Sequence, residues 1–141
     1  MSVESDCPFC QIVNGTEPAH FIYEDEDSIA FLDQRPVVEG HSLVVPRIRA
    51  RTLLDMIPTS AGALMIAATH VARIVDRTLQ PDGFTLFQTN EVAGEQSVFH
   101  VHLHLVPRWH GDNLIAPWMA KLAEEDDLAR MRLKIIARTG E

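Results

Sequence analysis

The sequence predicts one α+β domain over residues 1–141, a small sheet of short strands covered by a long helix, with a second helix near the C-terminal end. Three observations carry this. Five short apolar or alternating runs, near residues 21–24, 28–32, 41–46, 84–88 and 99–108, read as strands. Residues 59–79 repeat apolar side chains at three- and four-residue spacings, the period of a helix with one buried face. A chain of 141 residues suits a single core, and no linker, repeat or low-complexity segment divides it.

Taken in order, Cys7 to Gly15 ends in an Asn-Gly turn signal, so any helix there is short. Two strands joined by Asp25-Glu26-Asp27 make a hairpin, with Asp33 closing the second and bonding the following turn. His41 to Pro46 is an apolar strand that ends at its proline. Arg47, Arg49 and Arg51 form a small basic cluster of the kind usually found solvated, and Thr52 to Ile57 suits a helical turn. In the long helix, Ser60 is the expected cap, and Leu64, Ala67, Ala68, Val71, Ile74, Val75 and Thr78 form its buried face. His70 lies off that stripe. Pro81-Asp82-Gly83 stops the helix and Phe84 to Gln88 resumes as strand. A last helix is expected from Trp118 to Ala137, with Leu122, Leu128, Met131, Ile135 and Ile136 available for packing. Its acidic residues lie early and its basic residues late, as the helix dipole favours.

Charge narrows the partners. Twelve basic against 20 acidic residues give a net charge of −8, which argues against nucleic acid or an anionic membrane as partner but leaves room for a small anion held by local donors. The first six residues lack the basic and apolar regions of a secretory signal, and a cytoplasmic protein is expected. The only cysteines, Cys7 and Cys10, form a CxxC pair. Zinc would need two more ligands from elsewhere; a redox pair normally follows a strand, whereas a polar tail precedes this one; and two small residues packing the N-terminal turn is the remaining reading.

The chemistry concentrates in Phe99 to Arg108, Phe-His-Val-His-Leu-His-Leu-Val-Pro-Arg. In one strand, His100, His102 and His104 would share a face, opposite Val101, Leu103 and Leu105. Aligned imidazoles serve metal binding, nucleophilic attack on phosphorus, or core hydrogen bonding. Gln96, Ser97 and Asn90 nearby supply amides and a hydroxyl rather than a further carboxylate, which favours phosphoryl or nucleotidyl transfer.

His100-Val-His-Leu-His-Leu-Val106, with Gln96-Ser97-Val98 before it, Pro107-Arg108 after it, and Gly40 to Pro46 and Cys7 to Gly15 upstream, resembles the histidine triad (HIT) superfamily over roughly residues 7–112. That resemblance implies a five-stranded antiparallel sheet with a long helix, a homodimer, and action on the α-phosphate of a purine nucleotide through a nucleotidyl-histidine intermediate. It implies His102 as nucleophile, His104 at the phosphate, and His100 and His41 in support. Ser97, Asn90 and Gln96 would lie near the phosphate and leaving group, Asp33 at the ribose and Phe31 at the base. No cofactor is required for that chemistry. Zinc is implied on Cys7, Cys10 and His100 in some relatives, whose fourth ligand stands where this chain has Arg49. Glu95 also departs, standing where a glycine commonly precedes Gln-Ser-Val. Two substrate classes stay open: phosphoramidates suit the smaller branch of the family, and dinucleoside polyphosphates suit the branch in which Pro-Arg and a nearby Gly-Asp follow the triad, as Pro107-Arg108 and Gly111-Asp112 do here. A nucleotide-binding protein without turnover and a metalloprotein are the alternatives.

Overall fold

The computed structural model describes residues 6–114 and 120–138. Helix α1 (Pro8–Asn14) is followed by strands β1 (Phe21–Glu24), β2 (Ser28–Leu32) and β3 (Ser42–Pro46), a 3-10 turn at Leu53–Asp55, helix α2 (Pro58–Leu79), strand β4 (Gly83–Phe87), a 3-10 turn at Val92–Gly94, strand β5 (Leu103–Arg108) and helix α3 (Glu125–Ile136). The five strands form one antiparallel sheet in the order β1-β2-β3-β5-β4. Among the described residues, no helix is long and apolar enough to cross a membrane.

The period-two alternation of the central strands divides the core between the two sheet faces. Ala30, Val44 and Leu105 meet Leu64, Ala67, Ala68, Val71 and Val75 of α2. Ile29, Phe31, Leu43 and Val45 face the other way and are covered by Cys7 and Phe9 of the α1 region. Each large apolar side chain so buried contributes about 1.5–3 kcal/mol. Register places Phe31 opposite Leu43, Leu43 opposite His104, and His104 opposite Phe87. This row crosses the sheet on the face away from α2. It is the foundation of the site.

Several expectations change. Pro58 occupies the first turn of α2, so the helix begins before Ser60, and its cap residue, Ile57, makes no side-chain bond. Isoleucine has no side-chain acceptor to cap the first turn, and Pro58 suits the first helical position because its fixed φ is already helical and its missing N–H would have had no partner in the helix. Ile74 is only partly buried and Thr78 is exposed. The last helix is shorter than expected: 120–124 are not helical, while Trp118 lies outside the described residues. None of its apolar residues is buried, and Leu122 before it is 98% exposed.

The largest change is at the histidines. β5 begins at Leu103, because its partner strand ends at Pro46, a residue with no N–H to continue the ladder. The last β3–β5 pair is Val44 with Leu103. His100 and His102 therefore lie ahead of the strand, although their rings keep to the side of the sheet that carries His104, where Phe9 packs against both and the His102 and His104 rings lie 4.8 Å apart.

Candidate functional site

His41, His102, His104 and Asp33 meet at the site, while His100 stands behind them against α1. His104 is the histidine held by the sheet. Phe87 lies flat on its ring, with centroids 4.4 Å apart and planes 4° apart. His41 follows Gly40, whose φ of +91° turns the chain into β3. The Val37 backbone N–H donates to His41 Nδ1 at 3.1 Å. The proton of the neutral His41 ring therefore sits on Nε2. That atom lies 3.0 Å from His104 Nδ1 and 3.5 Å from Asp33 Oδ2. Donation to His104 Nδ1 leaves the proton of neutral His104 on Nε2, as a donor.

His102 has the complementary tautomer. Its Nδ1 lies 2.8 Å from the His100 carbonyl, which can only accept, so Nδ1 carries the proton and Nε2 the lone pair. The rings of His102 and His104 are 4.8 Å apart. One thus presents a lone pair beside the other's N–H. Phe9 sets its edge against both His102, at 5.0 Å, and His100, at 6.0 Å.

Burial lowers the proton affinity of His41, His100 and His102. Burial, reinforced by the neighbouring His102 and His41, takes His104 down to about 4. All four rings are neutral near pH 7. That is the state the tautomer chain requires.

The polar residues before the triad divide by use. Gln96 is 4% exposed: its Nε2 donates to the Arg51 and Val98 carbonyls, and its Oε1 accepts from Glu91 N–H. Its amide is spent on shaping the loop. Asn90 Oδ1 accepts from Leu53 N–H and from Gln88, and its Nδ2 donates back to Gln88. Ser97 is exposed. Phe31 is 4% exposed and packs edge-on against Phe9 and Phe21, within the core. Asp33 Oδ1 caps the turn through Arg35 N–H at 2.8 Å. Arg108 grips Asp112 through two bonds, at 2.7 and 3.0 Å, and so closes the end of β5. Phe87, Phe9 and the Val37 N–H carry no sequence mark. Only the strand register puts Phe87 opposite His104.

Residues 14–111 match the HIT domain. The chain belongs to the HIT family. It is 32% identical over 115 residues to an adenylylsulfatase of Arabidopsis thaliana, covering 82% of this chain and 58% of that protein, so it spans little more than half the plant protein's length. It is 30% identical over 138 residues to the adenosine 5'-monophosphoramidase of Saccharomyces cerevisiae, covering 97% of this chain and 85% of that protein. The crystal structure of a HIT family member from Bacillus subtilis superposes with a TM-score of 0.90 at 30% identity, over 96% of this chain and 99% of that one. A zinc-bound histidine triad protein from Mycobacterium smegmatis gives a TM-score of 0.75 at 34% identity, over 96% of both chains.

The chain gathers Cys7 and Cys10, which precede the matched segment, with His100, and their ligand atoms lie within 4.8 Å of one another. The two sulfurs lie 3.3 and 3.4 Å from His100 Nδ1. His100 Nε2 donates to the Pro46 carbonyl at 2.8 Å, leaving the Nδ1 lone pair facing the thiols. Three donors thus suit a soft cation such as zinc. A closed structural zinc site takes four, and no fourth His, Cys, Asp or Glu joins the group among the described residues.

Proposed function

We propose that this HIT protein is a hydrolase or nucleotidyl transferase acting at the α-phosphate of a purine nucleotide, with His102 as nucleophile. The observation that carries the reading is the His102 Nδ1 bond to the His100 carbonyl, which reserves Nε2 for attack. In the first step Nε2 bonds to phosphorus and the leaving group departs with the electrons of its own bond. The imidazole becomes cationic. The His100 carbonyl then accepts a charge-assisted bond from Nδ1. His104 Nε2–H, aligned by His41, donates to a non-bridging oxygen on which charge accumulates. In the second step water attacks phosphorus, the P–N bond breaks, and His102 is restored as the mononucleotide leaves.

The two named relatives support a shared adenylyl half and a variable leaving group, since one name specifies an adenylyl sulfate and the other an adenosine phosphoramide. In this reading Asp33 reaches the ribose, Ser97 and the Asn90 loop border the leaving group, and buried Phe31 backs the base. The chain works as a homodimer. β4 is an edge strand, and it exposes Phe84, Leu86 and Phe87, while α2 exposes Met65 and Ile66. Light scattering would then give about twice 15.8 kDa.

The decisive experiment measures AMP release from adenosine phosphoramidate and from diadenosine tetraphosphate, and maps the adenylylated residue after quenching with a slow substrate. Modification of His102 is expected. Turnover of neither substrate, or a label on another residue, overturns the reading.

A further inference from the structure

We propose that Arg49 does the mechanical work of a fourth metal ligand in this chain, so that the Cys7, Cys10 and His100 cluster keeps the triad in place without depending on a bound ion. The starting point is the early end of the β3–β5 ladder. Beyond Val44 and Leu103 no strand pairing holds the approach to the triad. Residues 46–51 and 96–101 nevertheless run side by side, joined by other bonds.

Arg49 supplies the central ones. Its Nε and Nη2 both donate to the Phe99 carbonyl, at 3.1 and 2.9 Å, one residue before His100. On one side of this clamp His100 Nε2 donates to the Pro46 carbonyl at 2.8 Å, and Val101 N–H donates to the Ala50 carbonyl at 2.7 Å. On the other, Gln96 Nε2 donates to the Arg51 carbonyl at 2.6 Å, and the Arg51 guanidinium lies 4.3 Å from the Phe99 ring centre.

An ion at the cluster would tie α1 to His100 through three ligands, and a fourth ligand would tie in residues 46–51. Here the first tie is already made by the contacts of both sulfurs with His100 Nδ1 and by Phe9 against the His100 ring. Arg49 makes the second. A guanidinium can hold a carbonyl but cannot ligate a cation, and it adds a fixed positive charge to the segment. Stability and metal are therefore uncoupled, whatever reaction the site performs.

The test measures metal content by mass spectrometry and melting temperature with and without a chelator, for the full chain and its variants. The parent protein is expected to carry well under one zinc per chain and to melt at the same temperature in chelator. Arg49→His is expected to gain about one zinc per chain and a melting temperature that chelation lowers. Arg49→Lys keeps the charge but loses the forked bond to Phe99, and is expected to melt at least about 2–4 °C lower, insensitive to chelator. A parent protein with one zinc per chain and a chelator-sensitive melt overturns the proposal. So does an Arg49→Lys protein that melts with the parent, or a folded Arg49→His protein that gains no zinc.

Discussion

The carbonyl of His100 and the Nδ1 of His102 stand 2.8 Å apart. This bond lies within three residues of one chain segment, yet it determines which nitrogen of His102 is free. Because the acceptor is backbone, no side-chain substitution at residue 100 removes it directly. Replacing the ring that uses it is the cleaner test. His102→Ala is expected to lower turnover at least about 10³-fold while nucleotide affinity changes by less than about 10-fold. Single-turnover rates and equilibrium titration together check it, and a variant retaining a tenth of the parent rate would remove His102 from the nucleophile's role.

His41 reaches the chemistry only through His104. Its Nε2–H, directed by the Val37 N–H on the far side of the ring, orients the His104 donor. His41→Ala is expected to reduce kcat about 10²-fold, the scale of losing one aligned donor, with a smaller change in KM. His41→Gln, which retains a donor near that position, should recover part of the loss.

Gly40 has φ +91°, and a Cβ there would lie 2.4 Å from Leu79 Cδ1 and 3.2 Å from Pro107 Cγ. The leucine tip can turn aside, but the backbone conformation remains costly for any side chain. Gly40→Ala is expected to destabilise the protein by about 1–3 kcal/mol and to disturb His41 beside it. Chemical denaturation measures the first effect and kcat the second.

Glu95 carries a side chain in a conformation that glycine adopts most readily, with φ +71° and ψ 26°. Glu91, at φ +64°, is strained in the same loop and is held by paired bonds to Arg51. Glu95→Gly should stabilise the fold by up to about 1 kcal/mol, because strain is relieved against the extra freedom glycine brings to the unfolded chain. A melting temperature below the parent's would contradict this.

The strands and the long helix were legible because their periods are local properties: Ala30 and Val44 alternate with Phe31 and Leu43 whatever the sheet order. The antiparallel five-stranded sheet implied by the HIT resemblance is the one observed. The strand through His100 and His102 was not legible correctly, since alternating imidazoles carry the strand pattern but the ladder depends on a distant partner that ends at Pro46. For the same reason Gln96 read as a substrate ligand: an amide's type is visible in sequence, whereas its engagement with Arg51, Val98 and Glu91 belongs to the fold. In α3 the pattern was right and the packing was not, because amphipathicity specifies a face and not its cover.

Acid should act on activity and stability in the same direction. In the folded protein the four histidines have proton affinities below the ordinary value near 6.5, with His104 at about 4. The unfolded chain therefore takes up protons first as pH falls. Between about 6.5 and the lower folded values the unfolded state binds more protons than the native one, so stability declines through that window. For His104 the loss levels off only about a unit below its folded value of about 4, where both states are protonated. Above about pH 7.5, where the unfolded rings have also lost their protons, these rings contribute no slope. Activity follows His102, whose lone pair survives below pH 6.5 because burial disfavours its charged form. The acid limb of kcat/KM is thus expected below 6.5, with a nearly flat profile from there to about pH 8. Stability measured by denaturant at matched pH values separates loss of the fold from protonation of the nucleophile. An acid limb centred above 6.5 would mean that His102 is charge-stabilised rather than buried neutral.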